Sequence, residues 1–258
     1  MSRADKPRLD ERLVALGLAE TRSRAEAIIR AGQVLVDDTP VDKPGTRVRS
    51  EAVVRLRGEP RRFVSRGGEK LAGALEDLDV DPSGCVCLDV GASTGGFSDC
   101  LLQAGAKHVV AVDVGYGQLA EKLRKDPRVT VLERTNARHL EPEALPFGID
   151  LVTVDVSFIS VRLLLERLQR LAPRAELLVM VKPQFEVGKD RVGKGGVVRD
   201  DALRAEAADG VREAAEGLGY EALGQAESRL PGPRGNREIF LRLRRQLTET
   251  KREDPASD

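Results

Sequence analysis

The chain has 258 residues, 41% hydrophobic and 33% charged, a balance that suits one large or two smaller globular domains. No apolar run approaches the ~20 residues that span a membrane, and the opening "MSRADKPRLDERL" lacks an apolar signal-peptide core, so a cytoplasmic protein with no membrane association is expected. Net charge is zero, yet residues 1–70 hold 16 Lys+Arg against 11 Asp+Glu while the rest of the chain holds 26 against 31, which points to an anionic partner for a basic N-terminal part.

Leu9, Leu13 and Leu16 recur at helical spacing, with Gly17 placed to end the helix. Ser23 and Glu26 have capping-box spacing for a second helix, whose apolar side would be Ala27, Ile28 and Ala31 before Gly32 stops it. Val34–Val36 reads as a strand, "DDTPVDKPG" as turns, and residues 52–56 as another short strand. The run "RLDERLVALGLAETRSRAEAIIRAGQVLVDDTPV" resembles the alpha-L RNA-binding domain of a small-subunit ribosomal protein, some pseudouridine synthases and a tRNA synthetase, over about residues 8–57. The resemblance implies that Arg22, Arg24 and Arg30 contact structured RNA, and phosphate contacts would make that binding salt-sensitive. "RGEPRRFVSRGGEKL" follows and reads as a linker, with Arg61 and Arg66 as further RNA contacts. The expected partition is an RNA-binding module over 1–57, a linker over 58–64, a main domain over 65–246 and a polar, disordered tail over 247–258.

From Cys85 onward, "CVCLDV", "HVVAVDV", "VTVLE", "DLVTVDV" and "ELLVMV" alternate with "FSDCLLQAG", "QLAEKLRKD" and "SVRLLLERLQRLA". Strand–helix alternation with continuous apolar strands predicts an α/β, doubly wound, Rossmann-like sheet. A helix over residues 201–217 and two further strands, "YEALGQAES" and "EIFLRLR", close it. Ligands of such sheets bind at the carboxyl ends of the strands. The first loop there, "DVGASTGGFSD", contributes Asp89, Gly91, Ala92, Ser93, Thr94, Gly95, Gly96 and Phe97, and is neither a Walker loop nor a clean G-x-G-x-x-G. Its glycines let the backbone turn sharply and approach a ligand. Asp113, 24 residues beyond Asp89, can accept hydrogen bonds from a ribose diol, while Asn136 and Ala137 follow the third strand and Asp155 the fourth. The set fits a nucleoside cofactor. An acid at the head of the loop repels the pyrophosphate of a nicotinamide dinucleotide and tolerates the cationic S-adenosylmethionine (SAM); a packing turn without a ligand is the alternative. Three cysteines without a Cys-x-x-Cys pair, and His108 and His139 without neighbours at ligand spacing, predict buried thiols and no metal site.

"FVSRGGEKL", "DVGASTGGFSD", "AVDVGYGQL", "VDVSFIS", "VKPQFEVGK", "VGKGGVVRD" and "GNREIF" occur in that order. Together they resemble the TlyA family, also called haemolysin A: SAM-dependent ribosomal-RNA 2′-O-methyltransferases related to the FtsJ family. With the RNA-binding module the resemblance covers residues 8–245. It implies cytidines of 16S and/or 23S ribosomal RNA as targets, ribosomal RNA or ribosomal subunits as partners, and an antiparallel last strand. It also implies a catalytic Lys–Asp–Lys–Glu set, falling here on Lys70, Asp155, Lys182 and Glu238.

Methyl transfer to a ribose hydroxyl is an in-line displacement that needs orientation, a proton acceptor and electrostatic help at the oxygen. In the expected roles, Lys182 positions the 2′-oxygen and accepts or relays its proton, and Asp155 stands near both Lys182 and the methylsulfonium. Lys70 and Glu238 hold the nucleotide and tune Lys182. Singly, each has a plainer reading: Lys182 snorkels to solvent, Asp155 caps a helix, and Glu238 pairs with Arg237 or Lys189. The loop over residues 188–199, with Lys189 and Lys194, reads as a mobile basic flap over RNA or as a passive surface loop. "DVSF" lacks the proline pair of the [DN]-P-P-[YF] motif that accompanies amino-group methylation. The competing functions are a non-catalytic RNA-binding or ribosome-assembly factor and a membrane-acting haemolysin, the latter disfavoured by the missing apolar span.

Overall fold

The computed structural model describes residues 6–58, 62–232 and 234–246, and divides into two compact units, one up to Arg62 and one from Phe63 on. Arg61, much of the expected linker and the tail from residue 247 lie outside the described residues.

The first unit holds α1 (Leu9–Ala15), α2 (Arg22–Arg30) and a three-stranded antiparallel sheet ordered β2 (Thr39–Pro40), β1 (Val34–Val36), β3 (Val54–Leu56). Its core is Leu9, Leu13, Ala25, Ile28, Ile29 and Val34. The second helix begins earlier than the capping-box spacing predicts. Thr21, not Ser23, is its N-cap, and its hydroxyl accepts from the Arg24 amide at 3.2 Å. The buried side is accordingly Ala25, Ile28 and Ile29, with Ala27 exposed. Within the stretch expected to turn, Asp37 and Asp38 take φ of 47° and 68°, the consecutive left-handed residues of a two-residue hairpin, a conformation that Asp tolerates. Asp10 is fully buried between Arg8 (3.0 and 2.8 Å) and Arg22 (3.1 Å), which ties the start of α1 to the start of α2. Its bonds to the Arg8 guanidinium hold its carboxyl below the usual range.

The second unit runs α3 (Arg66–Asp77), β4 (Val86–Val90), α4 (Gly96–Gln103), β5 (His108–Val112), α5 (Glu121–Arg124), β6 (Val129–Leu132), β7 (Leu151–Val154) and α6 (Arg162–Leu171). It continues with β8 (Glu176–Val181), α7 (Pro183–Glu186), α8 (Asp201–Glu216), β9 (Tyr220–Glu227) and β10 (Ile239–Arg245). The sheet order is β6-β5-β4-β7-β8-β10-β9. β4 to β8 are parallel, and β10 lies antiparallel to both β8 and β9, which makes this the expected Rossmann-like sheet. Alternate residues of each strand feed opposite cores. Leu88, Val110, Val152 and Val179 pack with α6 and α8 on one face, while Cys87, Val109, Leu178 and Met180 pack with α3 and α4 on the other.

Gly67 and Gly68 are not linker glycines. They form the first turn of α3, where a Cβ on Gly68 would lie 2.4 Å from Phe63 Cβ. A Cβ on Gly96, at the start of α4, would lie 2.9 Å from the Gly68 amide nitrogen. The two helices therefore cross at a distance that only glycine permits. Helix α5 is also shorter than "QLAEKLRKD" suggests, because Leu119, ahead of it, is used with Leu123 to fill the space left by Gly95. Among the described residues, no helix is long and apolar enough to cross a membrane.

Candidate active site

A cavity of about 420 Å³ opens where β4, β5 and β7 end. Of the residues expected around a nucleoside cofactor, Gly91, Ser93, Asp113, Asn136, Ala137 and Asp155 line it. The Asp113 carboxylate is fixed by two backbone amides, Ser93 at 2.8 Å and Gly115 at 2.7 Å, and each oxygen keeps a lone pair for a diol. Asn136 opens a single 3₁₀ turn and accepts from the Arg138 amide at 3.0 Å, which fixes its side chain at the rim. Val112, Ile159 and Leu164 supply apolar wall. An anchored carboxylate, apolar walls for a base and a second carboxylate, Asp155, suit a cationic nucleoside better than a pyrophosphate. The residues present fit SAM.

The rest of the glycine loop stands outside this lining. Asp89 is fully buried behind it and accepts from Ser98 Oγ at 2.6 Å and Thr153 Oγ1 at 3.3 Å. Burial pushes its carboxyl up to about 7, against the lowering effect of the Ser98 bond. The Ala92 amide donates to the Val112 carbonyl, and the Thr94 carbonyl accepts from Ala120. Phe97 is buried, stacked on Phe240 at 6.1 Å. The space at Gly95 is taken by Leu123 and Leu119, and that at Gly96 by Ser65 and Gly68. These glycines serve helix packing. Gly91 is different: its φ is +89°, and a Cβ there would meet the Asp155 carbonyl at 2.5 Å. It lets the ends of β4 and β7 close on each other at the cavity floor.

The four residues of the expected catalytic set form two ion pairs. Lys70, on α3, bonds Glu238, and both are buried. Lys182 Nζ lies 2.5 Å from Asp155 Oδ1 and donates to Ser157 Oγ at 2.9 Å. The β8–β10 register, Ile239↔Val181, carried on by one residue, sets Glu238 opposite Lys182. The antiparallel last strand thus delivers an acid to the edge where β8 delivers a base. The plainer readings of Lys182 and Glu238 do not fit: Lys182 is only 9% exposed, and Arg237 pairs with Glu227 while Glu238 pairs with Lys70. Buried ion pairs are costly to desolvate and are no stability device in themselves. One buried pair and one partly buried pair at the ligand edge of a sheet mark a place where charge is used.

Sequence reasoning missed Ser157 and Asn236. Ser157 sits in "DVSF", where only the absence of a proline pair was legible. Asn236, 3% exposed, accepts from the Val198 amide at 2.9 Å and donates to the Gly196 carbonyl at 2.8 Å. Asn236, which precedes β10, therefore holds the backbone at Gly196 and Val198 in the loop that carries Lys189 and Lys194, a loop the sequence leaves as a mobile flap or a passive surface loop. Both lysines are exposed. In the first unit, Arg22 is shared between Asp10, Glu11 and Glu26, and Arg30 pairs with Glu26 at 3.3 Å. Arg24 is exposed and has no ion pair among the described residues. Arg66 opens α3.

Residues 63–245 match the FtsJ-like methyltransferase family, and residues 7–54 match the S4 domain. The chain is 52% identical over 245 residues to the 16S/23S rRNA (cytidine-2′-O)-methyltransferase TlyA of Mycobacterium tuberculosis, covering 94% of this chain and 91% of that protein. It is 38% identical to hemolysin A of Brachyspira hyodysenteriae, over 90% of this chain and 98% of that one. A solved structure of a hemolysin-like protein from Streptococcus thermophilus superposes with a TM-score of 0.73 at 38% identity, covering 93% of this chain and 89% of that chain. Sequence, architecture and site converge, and the chain belongs to the TlyA family, an S4 RNA-binding domain joined to an FtsJ-like, SAM-dependent methyltransferase domain.

Proposed function

We propose that the chain methylates the 2′-hydroxyl of cytidines in 16S and/or 23S ribosomal RNA in the cytoplasm, acting on the ribosomal RNA or on ribosomal subunits. The observation that carries the reading is the two ion pairs, the buried Lys70–Glu238 and the partly buried Asp155–Lys182, the second of them reaching the cavity through Asp155. When bound, SAM supplies a methyl group already activated by the positive charge on sulfur, so the chain's own residues need only bind, orient and move a proton.

Asp113 and Asn136 hold the nucleoside, with Gly91 and Ser93 forming the floor on which it rests. Asp155 faces both the cavity and Lys182, so one carboxylate serves the cationic centre of the cofactor and the Nζ of the lysine. Lys182 receives the 2′-oxygen and takes its proton. The Lys70–Glu238 pair sets the field around Lys182 and closes the nucleotide side of the site. Phe158, 87% exposed at the cavity lining and packed against Phe185 at 5.5 Å, offers an aromatic surface for an unstacked base. In the first unit, Arg24 contacts phosphate, and Arg22 and Arg30 do so while also holding the helices. In the second unit Arg66, Lys189 and Lys194 add further contacts.

The test is Lys182→Ala. Methyl transfer to ribosomal RNA is lost while SAM binding stays within a few-fold of wild type. Normal turnover in that variant would sink the assignment. Mass-spectrometric mapping of 2′-O-methyls on both ribosomal RNAs, with and without the gene, identifies the target nucleotides. Restoration of a deletion strain by the Lys182→Ala protein would favour a non-catalytic assembly role instead.

A further inference from the structure

A lysine Nζ turns freely about its last carbon–nitrogen bond unless its partners stop it. To present either a proton or a lone pair to one substrate oxygen, it must be stopped. Lys182 is buried, so few groups can do this. Two are in place: Asp155 Oδ1 at 2.5 Å and Ser157 Oγ at 2.9 Å, the hydroxyl accepting from Nζ.

A tetrahedral nitrogen has four corners. One is bonded to Cε, and the hydrogen bond to Ser157 Oγ fixes a second. The Asp155 carboxylate holds the head from another side by charge, at 2.5 Å. The hydrogen bond and the ion pair together restrict the turning of Nζ, which neither does alone. Ser157 is also on the correct side, because it is exposed and lines the cavity together with Asp155. The turn directly after it is held against strain. Phe158 takes φ +71°, a left-handed conformation that a bulky side chain rarely adopts.

We infer that Ser157 is a positioning residue for the transfer, its hydroxyl being the second anchor that, with Asp155, aims Lys182 Nζ at the ribose 2′-oxygen. The inference rests on Lys182 acting at that oxygen. During transfer the new carbon–oxygen bond forms as the carbon–sulfur bond breaks. The electron pair of the broken bond stays on sulfur, and the hydroxyl proton passes to the lone pair of Lys182.

The experiment compares full-length Ser157→Ala and Ser157→Thr in single-turnover methylation of ribosomal RNA at saturating SAM and RNA. Ser157→Ala lowers the rate about 10- to 100-fold, as misaimed groups do, with SAM affinity, RNA affinity and melting temperature unchanged. Ser157→Thr keeps the hydroxyl and recovers most of the rate. In ligand-free protein labelled with carbon-13 at lysine Cε, the Lys182 cross-peak, assigned by its loss in Lys182→Ala, broadens in Ser157→Ala and stays sharp in Ser157→Thr. A wild-type rate in Ser157→Ala overturns the inference. So does equal loss in both variants, or a loss that shows up as weakened SAM or RNA binding, which would make Ser157 a binding residue. If Lys182→Ala itself turns over normally, the reading of Lys182 fails; if Lys182→Ala is inactive and Ser157→Ala is not, only the role of Ser157 fails.

Discussion

Asp89 illustrates how one residue type in one motif can serve two purposes. It heads the glycine loop, where an acid reads as a cofactor ligand. In the fold its side chain shares a sheet face with Cys87 and points into the layer beneath α4, where Ser98 and Thr153 donate to it. With its carboxyl pushed up to about 7, the folded chain keeps a proton on Asp89 that the unfolded chain loses at the usual carboxylate value of about 4. Stability therefore falls as pH rises through that window, by at most about 1.4 kcal/mol per pH unit, and this contribution levels off above the folded value. In Asp89→Asn the contribution is absent. Urea unfolding of ligand-free protein at about pH 5 and about pH 8 measures it: the wild type loses more stability between the two than the variant does. Equal slopes would show that Asp89 is ionised in the fold throughout. The position was legible in the sequence and the direction of the side chain was not, because only the register of β4 against its helices decides which face receives it.

Between elements, the decisive contact is the crossing of α3 and α4 at Gly68 and Gly96. A methyl group at Gly96 would press on backbone that cannot retreat, so Gly96→Ala costs about 1–3 kcal/mol. In a domain of this size that lowers the melting temperature by several degrees, about 2–4 °C per kcal/mol. Because α3 also carries Lys70, the same substitution displaces one pair of the proposed catalytic set, and methyl transfer is expected to fall more than SAM affinity does. Thermal melts and paired binding and rate measurements on Gly96→Ala check both parts. A glycine announces a missing side chain without saying what fills the gap, which is why "RGG" read as linker and "TGG" as ligand loop. The strands were easier. Runs such as "LLVMV" are apolar on both faces, as a strand sandwiched between two helix layers requires. The pinning of the backbone at Gly196 and Val198 by Asn236 spans 38–40 residues, and no local spacing announces it.

For the whole molecule, charge is unevenly spent. The second unit commits most of its arginines to carboxylates, among them Arg191–Glu206, Arg229–Asp77 and Arg242–Glu176. The basic first unit leaves Arg24 without an ion pair among the described residues. Arg24→Ala therefore leaves one RNA phosphate without its cation, reducing the slope of log affinity against log salt by about 0.7–0.9 for each phosphate so released. Arg30→Ala, whose guanidinium is shared with Glu26, reduces it less. Titrations of ribosomal RNA at several salt concentrations separate the two. The proposed catalytic set is legible as a set only through the family resemblance, since no spacing in the sequence relates Lys70 to Glu238. Their pair closes across 168 residues, from the first helix of the methyltransferase unit to the threshold of its last strand. The proposed site therefore stays incomplete until Glu238 has been synthesised. A chain cut short ahead of Glu238 also lacks β10, the strand between β8 and β9, and strands a buried lysine without its acid, a loss worth about 3–5 kcal/mol for such pairs on its own. Late frameshifts and nonsense alleles should thus behave as complete nulls, and genetic screens should recover loss of methylation from lesions all along the reading frame up to that codon.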